Sequence, residues 1–382
     1  MTTFFWILTG LILYAYVGYP IILIGLAALF GRRPSMDESF TPTMSLLIPA
    51  YNEERVIAGK LENALALDYP EGKLEIIVAS ESDDGTDAIV RRYAARGVTL
   101  LSSEVRRGKV ANLARAIPAS RGALLVFTDA NAMFRPDALR KLARHFADAR
   151  VGAVSGRLVY TNPEGAAAAA GERAYWSFEM ILKRASSRLG SLPGANGSLF
   201  ALRRELYAPI SERRGDDFEL PIRAILQGKD SVLEPEAISE EMAGGRYRDE
   251  FRRKVRIINW MLVSAVILLR EAIAARRWLL AFQLISHKLN RWAVPFWLIP
   301  LFPVSLILAP RGGFYLLAAA AQVFLYAGAI AGLAVYKLRL EVPRILMLPH
   351  YFVVVNLASF AGIISAMAGR EVRWHKRADI GG

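Results

Sequence analysis

The 382-residue chain reads as an α/β domain inserted between membrane helices, and three features predict this. Charged residues crowd between Gly31 and Arg256, whereas long apolar runs occupy both ends. Within the charged middle, short apolar runs alternate with stretches of helical spacing, which predicts a mostly parallel sheet covered on both faces. Polar clusters follow the apolar runs, at the strand ends where ligands of such sheets bind. Hydrophobic residues make up 54% and charged residues 22%, which suits neither a disordered chain nor an ordinary soluble enzyme.

From the N-terminus, Phe4 to Phe30 is 27 residues without a charge, enough to cross a hydrocarbon core. A cleaved signal peptide would need a basic start and a shorter apolar stretch; this chain begins Met-Thr-Thr-Phe-Phe-Trp. Residues 1–31 are therefore expected to be a retained anchor, with Arg32 and Arg33 drawing the following segment into the cytoplasm. The soluble domain is expected over 41–256. Met44–Ile48 reads as a buried strand, Glu53–Leu67 as helix, Leu74–Ala79 as strand and Asp87–Ala95 as helix. Val98–Leu101, Val110–Ile117, Ala123–Thr128 and Pro136–Phe146 continue the alternation.

Beyond the domain, Ile257–Leu269 is only 13 residues before Arg270, too short to span and suited to the interface. Trp278–Trp292 carries His287, Lys288 and Arg291 and is also placed on the surface, so 257–291 is read as interfacial. Trp292–Pro310, Phe314–Tyr336 and Ile345–Ala368 are read as three spans within 292–369. Four spans from an outside N-terminus leave the C-terminus outside. The tail, basic from Arg373 to Arg377, prefers the inside. The two signals conflict.

The net charge of +13 admits nucleic-acid binding as one reading. Many of the basic residues flank apolar segments instead, as at Arg252-Arg253-Lys254, so contact with membrane lipid is preferred and no nucleic-acid partner is expected. The absence of cysteine excludes disulfides, thiolate metal sites and a cysteine nucleophile.

Five clusters carry candidate chemistry. In Val126-Phe127-Thr128-Asp129-Ala130-Asn131 an apolar strand delivers a carboxylate and, two residues on, a second oxygen on the same side. Asp129 and Asn131 suit Mg²⁺ or Mn²⁺ beneath a diphosphate, or equally a turn cap. Ser80 to Asp87, including Glu81 and Asp84, offers groups for a base or ribose, or a helix N-cap with acidic first-turn residues. Asp216-Asp217 before a helical stretch is a cap or holds a general base. Gly194-Ala195-Asn196-Gly197-Ser198 lets backbone approach a ligand, or is a plain turn. Lys109 and the 252–256 run can neutralise a departing diphosphate; for the second, a solvated charge run is the default.

Taken in order, Pro49-Ala50-Tyr51-Asn52-Glu53, the acidic 81–87 loop, Gly108-Lys109, Asp129-Ala130-Asn131, Gly194–Gly197, Asp216-Asp217 and Arg253–Arg256 resemble the family-2 glycosyltransferases. The likeness runs from about Met44 to Trp260. It is greatest to the membrane-bound branch that includes poly-N-acetylglucosamine, chitin-oligosaccharide, hyaluronan and cellulose synthases. The resemblance implies a GT-A fold, a UDP-sugar donor and inversion at the anomeric carbon by direct displacement. It puts Tyr51, Glu53, Glu81 and Asp84 at the nucleoside, Lys109 at the phosphates and Asp129 at the metal–diphosphate. Asp217 becomes the general base beside Asp216, and Arg253 and Arg256 close over the diphosphate. Gly194, Asn196 and Gly197 face the acceptor.

Four positions depart from the family pattern. Glu81 stands for Asp, and Asn131 for a second Asp, which removes one charge from the metal site. Arg253 stands for Gln. Ile257 stands for a Trp, which removes an aromatic platform for the acceptor. The resemblance favours exopolysaccharide synthesis at the inner membrane, with single addition to a ceramide-like, hopanoid or polyprenyl-phosphate lipid as the alternative. A non-catalytic sugar-binding protein is the third reading.

Overall fold

The computed structural model describes residues 1–161, 168–212, 214–242, 247–338 and 343–370. The N-terminal anchor is one rod: α1 (Thr2–Leu13) and α2 (Tyr19–Phe30) are joined through a single π-helical turn over Tyr14–Gly18. The domain follows as β1 (Met44–Ala50), α3 (Ile57–Leu65), β2 (Leu74–Ser80), α4 (Thr86–Arg91), β3 (Val98–Ser102), α5 (Lys109–Ala119) and β4 (Leu124–Phe127). It continues through β5 (Met133–Phe134), α6 (Ala138–Ala143), β6 (Val151–Tyr160), α7 (Ala168–Arg188), β7 (Phe200–Arg203), α8 (Asp216–Leu226) and β8 (Asp230–Glu241). Five further helices close the chain: α9 (Tyr247–Ala274), α10 (Trp278–Gln283), α11 (Asn290–Leu308), α12 (Gly313–Lys337) and α13 (Arg344–Met367).

One eight-stranded sheet runs in the order β3-β2-β1-β4-β7-β6-β8-β5. Strands β3, β2, β1 and β4 are parallel. β7 then runs antiparallel to both β4 and β6, β8 is parallel to β6, and β5 is antiparallel to β8. The expectation of a mostly parallel sheet holds for the first half and is corrected to a mixed sheet for the second. Alternating side chains feed two cores. Leu46 and Ile48 join Ile57, Leu61 and Leu142 on one face, while Leu47 joins Leu113, Ile117 and Leu220 on the other. This sandwich fixes the carboxyl ends of β1, β2 and β4 as neighbours, and the polar clusters emerge there.

Five helical stretches are long and apolar enough to cross a membrane: Thr2–Phe30, Phe251–Ala274, Trp278–Arg311, Gly313–Val335 and Ile345–Met367. Two helices run past the bounds read from the sequence. The run Ile257–Leu269 is the middle of a 28-residue helix, because the charged residues flanking it keep helical geometry while the domain takes up their charge. Glu271, for instance, lies 3.9 Å from Arg223 of α8. The segments expected to meet at Trp292 form one rod across a π-turn at Leu284–Leu289.

The contacts order these helices along one axis. Phe5 and Leu8 pack on Leu301 and Leu308, whereas Tyr19, Leu23 and Ala27 pack on Leu182 and Ala185 of α7. The N-terminal end of the anchor is therefore distal to the domain and its C-terminal end proximal. α9 keeps to the domain over its second half: Ala265, Leu268 and Ala272 share a core with Phe218, Ile222 and Ile225 of α8. α13 follows α9. Lys254 stands over the Tyr351 ring, Gly362 lies against the Val255 carbonyl and Ile258, and the Asn259 amide donates to the Arg370 carbonyl at 3.1 Å. The basic tail after residue 370 lies outside the described residues.

Candidate functional site

The loops after β1 and β2 are zipped together. Asn52 adopts a left-handed φ of 58°, which asparagine tolerates better than most residues. Its N–H donates to Ser82 Oγ at 2.9 Å, its side-chain amide donates to Asp83 Oδ1 at 2.6 Å, and the Asp83 N–H returns a bond at 3.0 Å. Asp84 accepts from the Thr86 N–H at 2.9 Å and its hydroxyl at 2.5 Å, so this carboxylate organises the turn that leads into α4. Glu81 is buried, with one carboxylate oxygen accepting the Gly108 N–H at 2.8 Å. That bond holds the turn that launches α5 with Lys109 as its first residue; Gly108 there needs φ 102°, a region hostile to a side chain. The Glu53 N–H donates to Thr86 Oγ1 at 2.8 Å, and the Arg106 guanidinium lies 3.9 Å over the Tyr51 ring. Tyr51 and Glu53 thus border the same cleft mouth as the 81–87 loop.

Beneath that mouth the aspartates converge. β4 ends at Phe127, the buried Thr128 follows, and a turn closed by the Ala132 N–H on the Asp129 carbonyl presents Asp129. Lys109 Nζ reaches Asp129 Oδ1 at 2.9 Å and Asp216 Oδ2 at 3.3 Å. Asp217 is half-buried, its carboxylate held between two glycines: a Cβ on Gly197 or on Gly215 would lie 3.1 Å from its oxygens. The Ala195 N–H donates to the Asp217 carbonyl at 2.7 Å, tying the glycine loop to the first turn of α8. Arg214 and Arg223 both hold the buried Glu219, which fixes that turn from the far side. Asn196 is occupied within its own loop, its N–H on Ser155 Oγ and its Oδ1 accepting from Ser198.

Electrostatics follow from this crowding. Burial pushes the Asp217 carboxyl up to about 6, with Asp216 adding to the rise and Lys109 opposing it. Burial works against the Lys109 cation, but Asp129, Asp216 and Asp217 outweigh it and hold the ammonium firmly protonated.

Sequence reasoning overlooked Lys60. This lysine is fully buried under the Asp129 turn, donating to Thr128 Oγ1 at 3.0 Å and the Ala132 carbonyl at 2.5 Å. The Thr128 hydroxyl donates in turn to the Ser198 carbonyl at 2.9 Å. One chain of bonds thus links α3, the Asp129 turn and the glycine loop. Burial lowers the Lys60 ammonium to about 7, against the pull of Asp129 and Glu241. The signal was available: Lys60 falls on the apolar stripe Ile57, Leu61, Ala64, where a charge needs a reason.

A divalent cation fits the donor chemistry here. Asp129 and Asn131 offer hard oxygens, and Asp216 Oδ2 is buried without a hydrogen bond in spite of its charge pairing with Lys109. Three carboxylates against one ammonium leave the cleft negative. Among the described residues no group of three or more His, Cys, Asp or Glu could hold a metal ion by itself, so ligand oxygens would have to complete the shell.

On the other side of Gly194 lies a cavity of about 160 Å³, walled by Glu179, Lys183, Gly194, Phe218, Met261 and Lys288 among others. Gly194 takes φ 113°, and a Cβ there would meet the Phe218 ring at 3.3 Å. Arg256 lies over the Trp260 ring at 5.7 Å. One helical turn after the exposed Ile257, α9 therefore carries an aromatic ring next to the arginine that the motif singled out. Arg253 sits on the same helix, eight residues before Met261 of the cavity wall.

Residues 45–210 match the model of Glycosyl transferase family 2. Beta-monoglucosyldiacylglycerol synthase of Trichormus variabilis is 29% identical over 210 residues, 52% of this chain and 45% of that protein. Hyaluronan synthase of Streptococcus pyogenes is 28% identical over 207 residues, 52% of this chain and 48% of that one. The chain spans about half the length of these curated relatives. Among solved structures, mannosyltransferase PcManGT from Pyrobaculum calidifontis, in complex with GDP-Man and Mn²⁺, aligns with a TM-score of 0.72 at 25% identity. That alignment covers 96% of this chain and 100% of the other. The mixed sheet is that of the GT-A fold.

Proposed function

The chain carries a glycosyl transferase family 2 domain, and from that premise we propose that it transfers a sugar, with inversion, from a nucleoside diphosphate donor to a hydroxyl of a membrane lipid. The observation that carries this reading is the meeting of Asp129, Asp216 and Asp217 around Lys109. Lys109 and Asp129, in contact with each other, would hold the diphosphate, with Asn131 two residues on as a further oxygen donor. A bound Mg²⁺ or Mn²⁺ would supply charge neutralisation for the departing diphosphate. Asp217 takes the proton of the acceptor hydroxyl as its oxygen bonds to the anomeric carbon. The anomeric carbon–oxygen bond to the diphosphate breaks, and the leaving nucleoside diphosphate carries away the electron pair. A base with a pKa near 6 is ionised at neutral pH yet basic enough to accept that proton. A UDP-sugar is the first donor to test and GDP-mannose the second, because PcManGT was solved with GDP-Man.

A lipid acceptor is favoured over a growing polymer by the place of the cavity across Gly194 from Asp217. It is walled partly by α7, whose Leu182 and Ala185 pack on the anchor helix. The reading includes a membrane arrangement with three crossings. The anchor enters, Trp278–Arg311 leaves and α12 returns; α9 is held to α8, and α13 packs on α9 as well as on α11 and α12. With the N-terminus outside, this order puts domain and basic tail on the cytoplasmic side of the inner membrane, in accord with the positive-inside bias. The reading is tested by incubating the purified full chain with radiolabelled UDP-hexoses and GDP-mannose in lipid vesicles. Metal-dependent label in the lipid fraction supports it; label only in long polymer, or none, refutes it.

A further inference from the structure

The rod Trp278–Arg311 carries three polar residues at intervals of four, Gln283, His287 and Arg291. Polar and ionisable side chains in such a segment mark functional positions. Residues four apart drift round the face of an α-helix, and the wider π-turn at Leu284–Leu289 offsets that drift. All three meet α7 or the residues just after it. Gln283 is fully buried; its amide nitrogen donates to Ser186 Oγ at 3.1 Å, and its oxygen accepts from the Ser191 hydroxyl at 2.6 Å. Those two bonds make the burial of the amide tolerable. Glu179 pairs with Arg291 and lies 3.5 Å from His287. The anchor closes on the same turn: the Tyr19 ring stacks on His287 at 5.5 Å, and the Tyr14 hydroxyl shares a 2.7 Å bond with Ser286. From Ser191 a short path leads to the proposed base. Strand β8 stiffens the backbone there, with the Leu192 N–H on the Ser231 carbonyl and the Ser231 N–H on the Gly190 carbonyl. The Gly194 N–H then donates to the Leu192 carbonyl at 2.9 Å, and the Ala195 N–H to the Asp217 carbonyl at 2.7 Å.

We infer that Gln283 is a positioning residue: through Ser191 it sets the glycine loop against Asp217, which makes the rod a working part of the transferase as well as its anchor. The inference rests on the transferase reading above and adds the side chain by which a membrane segment reaches the base. His287 and Arg291, seated on Glu179, fix the register of the rod on α7. Gln283 is the member of this seam that grips the segment leading to the loop. Gln322 of α12 is the matched case without that reach. It is also buried and donates to Ser305 of the same rod at 3.0 Å. Ser305 lies between Leu301 and Leu308, in the part of the rod that packs on Phe5 and Leu8, distal to the domain.

The test measures nucleoside diphosphate release by the purified full chain in lipid vesicles, with the donor that it turns over. Gln283→Leu and Ser191→Ala should each lower kcat by about tenfold or more, as small misplacements near the chemistry do, with donor KM within about twofold of wild type. Ser191→Ala removes one hydroxyl and keeps the backbone bonds to β8, so the test stands even if Gln283→Leu fails to fold. The double variant should fall no further than either single one, because residues that act as a unit do not add. Gln322→Leu removes a comparable buried amide bond to the rod and should keep the wild-type kcat. A wild-type kcat in Ser191→Ala or in folded Gln283→Leu, additive losses in the double variant, or an equal fall in Gln322→Leu overturns the inference and leaves the transferase reading standing. A loss carried by donor KM alone overturns it as well. Absence of any donor turnover by the wild-type chain overturns the transferase reading itself.

Discussion

Replacing Asp217 with Asn isolates the proposed proton transfer. The amide has the carboxylate's shape, so the slot between Gly197 and Gly215, where a Cβ would come within 3.1 Å of the side-chain oxygens, accepts it without rearrangement. Lys109 keeps its contacts with Asp129 and Asp216 at 2.9 and 3.3 Å, so the diphosphate side of the cleft is preserved. The variant should lose about 10²–10⁴-fold in kcat, the usual worth of a positioned base, with donor affinity within a few-fold of wild type. The wild-type profile supplies a second reading. A base with a pKa of about 6 must be ionised to act, so kcat/KM rises with pH through that value. At pH 5 roughly one molecule in ten has it ionised, and at pH 7 about nine in ten, a loss of about ninefold between them. The Asn variant should lack this acidic limb. Its stability moves the opposite way. The raised folded-state pKa means that the ionised carboxylate destabilises the fold above the unfolded value near 4, fully so beyond pH 6. Asp217→Asn should therefore raise Tm at pH 7 and leave it unchanged below pH 4. A variant that turns over normally once donor concentration is raised, or that keeps the acidic limb, refutes the assignment of Asp217 as base.

Three further outcomes follow from the same geometry. Lys60→Met removes the brace under the Asp129 turn and leaves the Thr128 hydroxyl and Ala132 carbonyl short of a partner; a cost of about 1–3 kcal/mol by thermal unfolding and a higher donor KM are expected. An unchanged donor KM would mean that the brace does not position Asp129. Chelation of divalent metal should abolish donor turnover, and Asn131→Asp, which adds a charge to the site, should lower the metal concentration needed for half-activity; full activity in excess chelator contradicts the metal assignment. Because the chain has no cysteine, single cysteines report topology cleanly: Arg311→Cys should react with a membrane-impermeant maleimide from outside, and Lys337→Cys only after the membrane is opened. Outside labelling of Lys337→Cys would rule out the three-crossing arrangement.

The sequence made the first half of the domain legible because buried parallel strands are continuous apolar runs and the chemistry follows them. β1, β2, β3 and β4 all fall where such runs were read. The second half was harder. β7 is four residues long and pairs antiparallel with β4, a strand 70-odd positions earlier, so nothing local announces it. Residues 257–269 were too short to span as an isolated apolar run, but helix geometry continues through charged residues whose partners, such as Arg223 for Glu271, come from another element. Site residues divided in the same way. Lys109, Asp129, Asp216 and Asp217 are brought together as their motifs implied. Glu81 and Asp84 also accept bonds from Gly108 and Thr86, a loop-holding role that no spacing rule announces. Lys183 and Lys288, more than a hundred residues apart, meet only because α7 and the π-turn of the Trp278–Arg311 rod share one cavity.

The account depends on Asp129 and Asp217 serving one bound donor. A structure of the full chain with Mn²⁺ and a non-transferable donor analogue tests this directly. The account requires Mn²⁺ anomalous signal beside Asp129, diphosphate oxygens against Lys109 and the anomeric carbon turned toward Asp217. A donor bound with its anomeric carbon facing away from Asp217, or Mn²⁺ lodged elsewhere, would contradict it.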